Sequence, residues 1–533
     1  MKSSMKKAVT ALLAAALLAA TPCTSVFGAQ TYYVNDGSST LTMADAYAIG
    51  ASGEAAKLPD RGVYAATANG TQMLGGTEYD DVQPNIPNGI IRAGLAFGST
   101  ALDAVHLQIK TGSGFAFGYY DEEAGRVFRV VGSTAESSVA VVADTNVTVG
   151  SSTFGAYHIE LDDTYTDFEA ACAAAAAHGG YPVFYNGTYR VRIGSFETAD
   201  AASASSAAAS GSVVSGGSRG VLVMKAGTDQ ILFGFDCGST KSLTLAPQNG
   251  GSAAITQVAE CKYRSTDRSC TYHGDFQFTR FDTQQPQKLT LVNFVDLESY
   301  VKGVVPYEMS SGWPLEALKA QAVCARTYAA SHMNGVPAYG FDITATTTSQ
   351  VYLGTIDAST NSDRAVDETA GKFVRYQGKL CETFFFAADG GATENSENVW
   401  VAEVPYLRGV IDPYEKDIDF YCKSWGTSVS RDAVGDISVT YTPIGNVMTV
   451  TVGGKTYSKD NVRTFLTKIC GLRYNSRHFT VEYDAASNVY NVVGGGYGHN
   501  CGMSQWGAKA MAEVHGKTYE EIISFYYTGA YVS

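Results

Sequence analysis

The sequence predicts an α+β protein of several domains in series: a β-rich N-terminal region, a small βαββαβ module and a C-terminal α+β domain. Three observations predict this. The chain has 533 residues, 45% hydrophobic and 17% charged, enough apolar material for several cores. Residues 30–153 alternate short β-branched and aromatic runs with Gly, Asn, Asp and Ser, without a helical period. Beyond residue 255, strand-like runs are interrupted by helical segments with caps and 3,4 spacing.

In chain order, "MKSSMKKAVTALLAAALLAATPCTSVFGAQ" has lysines at its start, an apolar stretch from Ala8 to Ala20 and small residues at Gly28 and Ala29. This is the pattern of a secretory signal over residues 1–29, and it predicts a secreted protein that leaves the cytoplasm. The apolar stretch is shorter than the ~20 residues a spanning helix needs, which makes an anchor the lesser reading. Cys23 does not strengthen it, because Ala20 stands where a lipobox needs a larger aliphatic residue. Residues 30–153, with runs such as "IRAGLAFGS" and "RVFRVVGS", gather no acids, histidines or cysteines into a site.

Residues 154–240 read as β, α, β, β, α, β, with the last strand in "GVLVMKAG" after the Ala/Ser tract. Thr166 and Glu169 form a capping box for the helix in "TDFEAACAAAAAHGG", and Asn186-Gly187 supplies a two-residue hairpin turn. The Ala/Ser tract from Ala201 to Ser215 fits either a second helix or a flexible linker. The alanine-rich helix followed by "YRVRIGSF" resembles the SPOR domain, a wall module that recognises glycan strands stripped of their peptides.

Residues 255–533 carry most of the chemistry. "QKLTLVNFVDLESYVKGVV" reads as a strand leading to a helix capped by Asp296, and a last helix opens on Thr518 and Glu521 as a capping box. Ten cysteines occur, one of them in the signal, and the odd remainder leaves at least one free or paired outside the chain. "CKYRSTDRSC", Cys261 to Cys270, fits a local disulfide clasp, although spacing does not fix connectivity. No CxxC pair supports a zinc ribbon. Net charge is −14 with no long basic run, which argues against nucleic acid as a partner.

The densest stretch is "VVPYEMSSGWPLEALKAQAVCARTYA". Leu315, Leu318, Ala322, Ala325 and Ala329 trace one apolar helix face, and Pro314 suits a first turn. Lys319 and Arg326, seven apart, share a side of the helix, and Glu308 lies upstream in a turn. Two readings stand. These charges form a salt-bridge cluster tying turn to helix, or Glu308 is a catalytic acid and the two cations hold a substrate anion. In the second reading two cations near Glu308 would oppose the raised pKa a proton donor needs, so they face the substrate more than the glutamate.

"VDLESYVKGVVPYEMSSGWPLEALKAQAVCARTYA", "PYLRGVIDPY" and "GGGYGHNCGMSQWGA" resemble, in order, the signature segments of the stage II sporulation protein D family, also called amidase enhancers. The resemblance covers roughly the last half of the chain. It implies a lytic transglycosylase of peptidoglycan acting on peptide-stripped glycan strands, with no cofactor. Glu308 stands at the catalytic glutamate, Lys319 and Arg326 at basic positions linked to activity, and His499 and Gln505 in a segment lining the sugar cleft. Under this reading Lys319 and Arg326 bind the lactyl carboxylate that an amidase uncovers. The other class is a wall-binding protein that stimulates an N-acetylmuramoyl-L-alanine amidase and breaks no bond, with Glu308 structural. Hydrolysis would instead need a second acid, for which Asp296, Glu298, Asp389 and Asp412 are the sequence candidates.

Some positions depart from the family. Thr348 and Ser349 replace a His-Cys pair that forms part of a zinc site in some members, so no metal is expected. "AADGG" puts Asp389 at a serine position, and Asn500 and Cys501 stand where smaller residues are usual. His499, flanked by Gly498 and Asn500, either pins its loop by backbone hydrogen bonds or lines the cleft. Cys501 with His499, and Cys324 with His332, are weak thiol–histidine pairs, because buried inert thiols are the default.

Overall fold

A computed structural model describes residues 80–150, 152–255, 270–281, 287–355 and 360–533, together with four short strands between Thr31 and Met73. The expected signal over residues 1–29 and Cys261 lie outside the described residues. The fold is mixed α+β and rich in sheet. Two compact units result: Val82–Trp313 with Gln321–Lys372, and Pro314–Ala320 with Phe373–Ser533, the latter also taking the chain up to Asp81.

The first unit contains a ten-stranded and a seven-stranded sheet. In the larger sheet the chain runs Tyr157–Glu160, helix Phe168–His178, Tyr181–Tyr185, Thr188–Phe196, helix Ala199–Ser203 and Ser212–Ser215, so a strand forms inside the Ala/Ser tract and the one expected to follow that tract, in "GVLVMKAG", comes next as Val221–Lys225. The first four of these strands lie in the spatial order fourth, first, third, second, and pair with one another antiparallel. The Ala/Ser tract thus holds a short helix followed by a 3-10 turn, Ser206–Ser210. Asn186 and Gly187 both take positive φ (46° and 96°), the requirement of a type I′ hairpin turn. The helix cap differs from expectation by one residue. Asp167 Oδ1 accepts the Ala170 N–H at 2.8 Å, and its carboxylate at a helix N-terminus serves better than the hydroxyl of Thr166.

Tyr181–Tyr185 continues the same sheet by pairing in parallel with Ile231–Asp236, and Val221–Lys225 then pairs with Ser138–Ala143. Residues on either side of position 154 therefore share one sheet. In the seven-stranded sheet, the apolar strand Thr290–Asp296 lies between Ile90–Ala96 and Asp275–Thr279. Ile343–Thr344 joins Ile90–Ala96 in parallel. Asp342, 1% exposed, fastens that junction: it pairs with Arg92 at 2.7 Å and Arg126 at 3.3 Å and accepts the Arg92 backbone N–H at 2.9 Å. A buried carboxylate with two guanidinium partners keeps its charge compensated.

The second unit is built from small sheets and helices. Trp425–Ser430, Val489–Gly494 and Phe479–Asp484 form one three-stranded sheet, and Ile437–Tyr441, Val447–Val452 and Lys455–Ser458 another. Their core gathers Val450, Phe465, Phe479 and Val492, with helix Asn461–Lys468 contributing Phe465. Phe385–Phe386 pairs in parallel with Met503–Ser504, which feeds helix Gln505–Glu513. The final helix, Tyr519–Tyr526, opens with the expected capping box of Thr518 and Glu521. Cys270 is disulfide-bonded, whereas Cys172, Cys237, Cys324, Cys381, Cys422, Cys470 and Cys501 are free thiols.

Candidate functional site

Glu308 owes its position to a strand that ends in two short helices. Asp296 leaves the sheet and its Oδ1 accepts the Ser299 N–H at 2.9 Å, capping helix Leu297–Lys302 as its sequence predicts. Helix Val305–Glu308 follows, with Pro306 in its first turn, and extended backbone at Met309 ends it. Val305 and Met309 are 0% and 1% exposed, so apolar burial locks the turn on both sides of the half-buried glutamate.

The Val351 N–H donates to Glu308 Oε1 at 2.8 Å, and the neighbouring Tyr307 hydroxyl donates to the Leu353 carbonyl at 3.2 Å. A charge-assisted bond from a fixed amide orients the carboxylate. The amide is fixed because its flanks are. Gln350 Nε2 donates to Tyr300 Oη and the Ala325 carbonyl, while Tyr352 donates to Asn293 Oδ1 at 2.6 Å and packs on Tyr272 and Tyr300. Sequence reasoning missed this support. Its signal was the polar glutamine in "SQVYLG", set among apolar neighbours. Upstream, Ser349 Oγ accepts from the Thr344 hydroxyl and backbone N–H, so one of the two departed His-Cys positions braces its own loop with a hydroxyl.

Arg326 is 0% exposed, and here the expectation of a substrate clamp is corrected. Its guanidinium binds Glu298 through Nε at 2.9 Å and Nη2 at 2.6 Å, and donates to the carbonyls of Val366 and Lys372 and to Thr369. A guanidinium buried among carbonyls with a carboxylate on its fork acts as a brace, and no side of it meets solvent. Glu298, one of the candidate second acids, serves as that partner. Lys319, in the second unit, keeps a 15% exposed side chain, pairs with Glu316 at 2.9 Å and lies 5.9 Å from the Tyr519 ring centroid.

His499 holds its loop. Its Nε2 lies 3.1 Å from the Phe385 carbonyl and Nδ1 accepts the Cys501 N–H at 3.2 Å, which fixes the proton on Nε2. The ring sits among Phe386, Trp400 and Phe384, and this burial lowers its pKa to about 4, keeping the imidazole neutral. Gln505, 6% exposed, begins the helix that Ser504 caps. Asn500 takes φ 62° and is fully buried, with Nδ2 donating to the carbonyls of Asp389 and Ala392 and Oδ1 accepting the Arg477 N–H. Asparagine tolerates this left-handed backbone and its amide replaces missing loop hydrogen bonds, which explains why a larger residue fits here. Cys501 is fully buried and its thiol is pushed up by desolvation, so it offers no thiolate nucleophile. Cys324 is likewise fully buried in its helix.

Asp389 and Asp412 are both 0% exposed and lie close to Glu415, at 2%. Desolvation and the neighbouring carboxylates raise Asp389 well above the usual carboxylate range, and burial followed by the Asp412 charge lifts Glu415 to about 7. Of the four candidate second acids, then, Asp296 caps a helix, Glu298 pairs with Arg326, and Asp389 and Asp412 are sealed in this cluster. Glu415 was missed; its signal was the close spacing of Asp412 and Glu415 in "IDPYEKD".

A family model described as "Stage II sporulation protein" matches residues 285–376, the stretch that carries Glu308, Lys319 and Arg326. Over 269 residues the chain is 34% identical to stage II sporulation protein D of Bacillus amyloliquefaciens, covering 45% of this chain and 75% of that protein. It is 38% identical over 274 residues to an uncharacterised protein of Brachyspira hyodysenteriae, covering 48% of this chain and 71% of the relative. The amidase enhancer of Bacillus subtilis is 31% identical over 288 residues, which is 43% of this chain and 39% of that protein. With three quarters of a sporulation protein D matched and its ordered motifs present, the chain belongs to the stage II sporulation protein D family, among whose relatives are amidase enhancers.

Proposed function

We propose that this protein is a secreted lytic transglycosylase of peptidoglycan, cutting N-acetylmuramic acid–N-acetylglucosamine bonds in peptide-stripped strands during sporulation or wall remodelling. The observation that carries the reading is Glu308 itself, half-buried at the end of a locked turn, with Oε1 held by the Val351 amide. As an acid it gives its proton to the glycosidic oxygen as the C1–O bond breaks. As a carboxylate it then removes the proton of the muramic 6-hydroxyl while that oxygen bonds to C1, leaving a 1,6-anhydro end without water. One carboxyl group suffices, and this agrees with the structural employment of Asp296, Glu298, Asp389 and Asp412. Lys319 remains the residue to receive the lactyl carboxylate. The βαββαβ module, with its fourth-first-third-second strand order, suits a SPOR-like role in gripping stripped strands.

The second reading is a binding protein that enhances a wall amidase without cleavage, favoured by the similarity to an amidase enhancer. Purified protein and its Glu308→Gln variant, incubated with amidase-treated glycan strands, separate the readings by product mass. Anhydro ends that vanish in the variant support the lytic reaction. Unchanged strands from both proteins, with retained glycan binding, would establish the enhancer reading, and reducing ends would establish hydrolysis.

A further inference from the structure

The cluster of Asp389, Asp412 and Glu415 has a job that hydrogen bonding does not explain. One oxygen of each lies within 4.8 Å of the other two. Six donors point at them. The N–H groups of Asp389 and Gly390 serve Glu415 at 2.8 and 3.0 Å, that of Gly391 serves Asp389 Oδ1 at 2.7 Å, and that of Tyr414 serves Asp412 at 2.7 Å. The Ser504 and Tyr526 hydroxyls complete the set on Glu415 and Asp412, at 2.5 and 2.6 Å. Asp389 Oδ2 alone of the six oxygens receives no N–H or hydroxyl donor, in a fully buried side chain whose carboxyl group faces that of Asp412 within hydrogen-bonding reach.

No lysine or arginine pairs with any of the three among the described residues. Dipoles of this kind orient carboxylates, yet they do not cancel up to three negative charges, and an unpartnered anionic oxygen in a dry interior is costly. Something positive must enter, either a proton or a metal ion. The donor set is all oxygen and all carboxylate, the preference of hard divalent cations and not of zinc or copper. An ion bonded at about 2.3–2.6 Å can touch oxygens up to roughly 5 Å apart, which spans the cluster. Asp389 Oδ2, which otherwise needs a proton shared with Asp412, then becomes a ligand. Asp389 also stands where the family resemblance expects serine, so the third charge is a feature of this chain.

We propose that Asp389, Asp412 and Glu415 form a buried site for a hard divalent cation, calcium being the best fit, that ties the "AADGG" and "IDPYE" loops to the start of helix Gln505–Glu513. The site is independent of the proposed glycan chemistry, so its failure leaves that reading untouched.

The test uses the full chain near pH 7. Metal content by mass spectrometry of purified protein, thermal unfolding with EDTA, Ca²⁺, Mg²⁺ or Mn²⁺, and terbium luminescence sensitised by Tyr526 are measured together. About one bound ion per chain, an unfolding temperature several degrees higher in Ca²⁺ than in EDTA, and terbium emission quenched by Ca²⁺ are expected. Asp389→Ser, which restores the serine, should fold and lose the Ca²⁺ shift; should it fail to fold, the wild-type stoichiometry and terbium titration decide alone. Wild-type protein that carries no ion, shows no shift with any of the three and gives no terbium signal would overturn the site and leave protons as the neutralising charge.

Discussion

Replacing Arg326 with alanine tests whether this side chain braces the fold or binds substrate. The guanidinium makes a two-pronged contact with Glu298, at 2.9 and 2.6 Å, and the loss of this charge pair is worth about 1–2 kcal/mol because the Glu298 side chain keeps 33% exposure to screening water. The bonds to the Val366 and Lys372 carbonyls, 3.2 and 3.3 Å, add about 1 kcal/mol each. Removing the packed aliphatic stem of a fully buried residue leaves a cavity worth about 1 kcal/mol more. The total is about 4–5 kcal/mol, which lowers the unfolding temperature of a unit of this size by on the order of 10 °C. Differential scanning fluorimetry of Arg326→Ala, with Glu298→Gln as a milder partner, reads it. A variant within about 2 °C of wild type that has lost glycan binding tenfold would refute the brace and restore Arg326 as a clamp.

Two further perturbations follow from buried groups. His478, 2% exposed, donates from Nδ1 to Asn446 Oδ1 and has its pKa lowered by burial to about 4, so the folded state binds fewer protons than the unfolded one between pH 4 and 6.5. Its contribution, about 3 kcal/mol, is complete above pH 6.5 and lost as pH falls towards 4. Asp275, hydrogen-bonded to Tyr120 at 2.6 Å, is raised by burial to about 6, so it favours folding below pH 3.8 and loses that effect as pH rises through 6. Urea unfolding of Asp275→Asn should therefore show a gain of about 2–3 kcal/mol at pH 7 and none near pH 3; equal gains at both would refute this. Gly507→Ala, which should help an ordinary helix, would bring a Cβ within 1.9 Å of Tyr526 Oη and 2.3 Å of Asp412 Oδ2 and should cost about 2–4 kcal/mol. A neutral or stabilising effect in denaturant melts would contradict the tight approach of helix Gln505–Glu513 to the carboxylate cluster.

Local signals in the sequence were readable where they act over a few residues. The Asp296 cap, the Thr518 and Glu521 box and the Asn186-Gly187 turn all appear in the structure, because caps and primed turns depend on neighbours a few positions away. Glu308, expected in a turn, instead ends the one-turn helix Val305–Glu308 shortly before the long helix Leu315–Ser331. The partner of Arg326 was not legible: Glu298 lies 28 residues upstream, and seven-residue spacing with Lys319 suggested a shared role that burial overrules. The same holds for the carboxylate cluster, where Asp389 from one loop meets Asp412 and Glu415 from another only in three dimensions. Asp167 took the cap expected of Thr166 because two adjacent polar residues can both serve, and sequence alone does not rank them.

The strand Thr290–Asp296 is buried along six of its seven residues and pairs through most of its length with Ile90–Ala96, some 200 residues earlier. A fragment beginning near residue 255 would keep every recognisable family motif and yet expose this strand as a long, flat, apolar edge, inviting edge-to-edge aggregation. The chain emerging from synthesis faces the same constraint in time, because the early strand must wait for its partner before its sheet closes. Late closure of this kind leaves Ile90–Ala96 without its partner until more than half of the chain has been made.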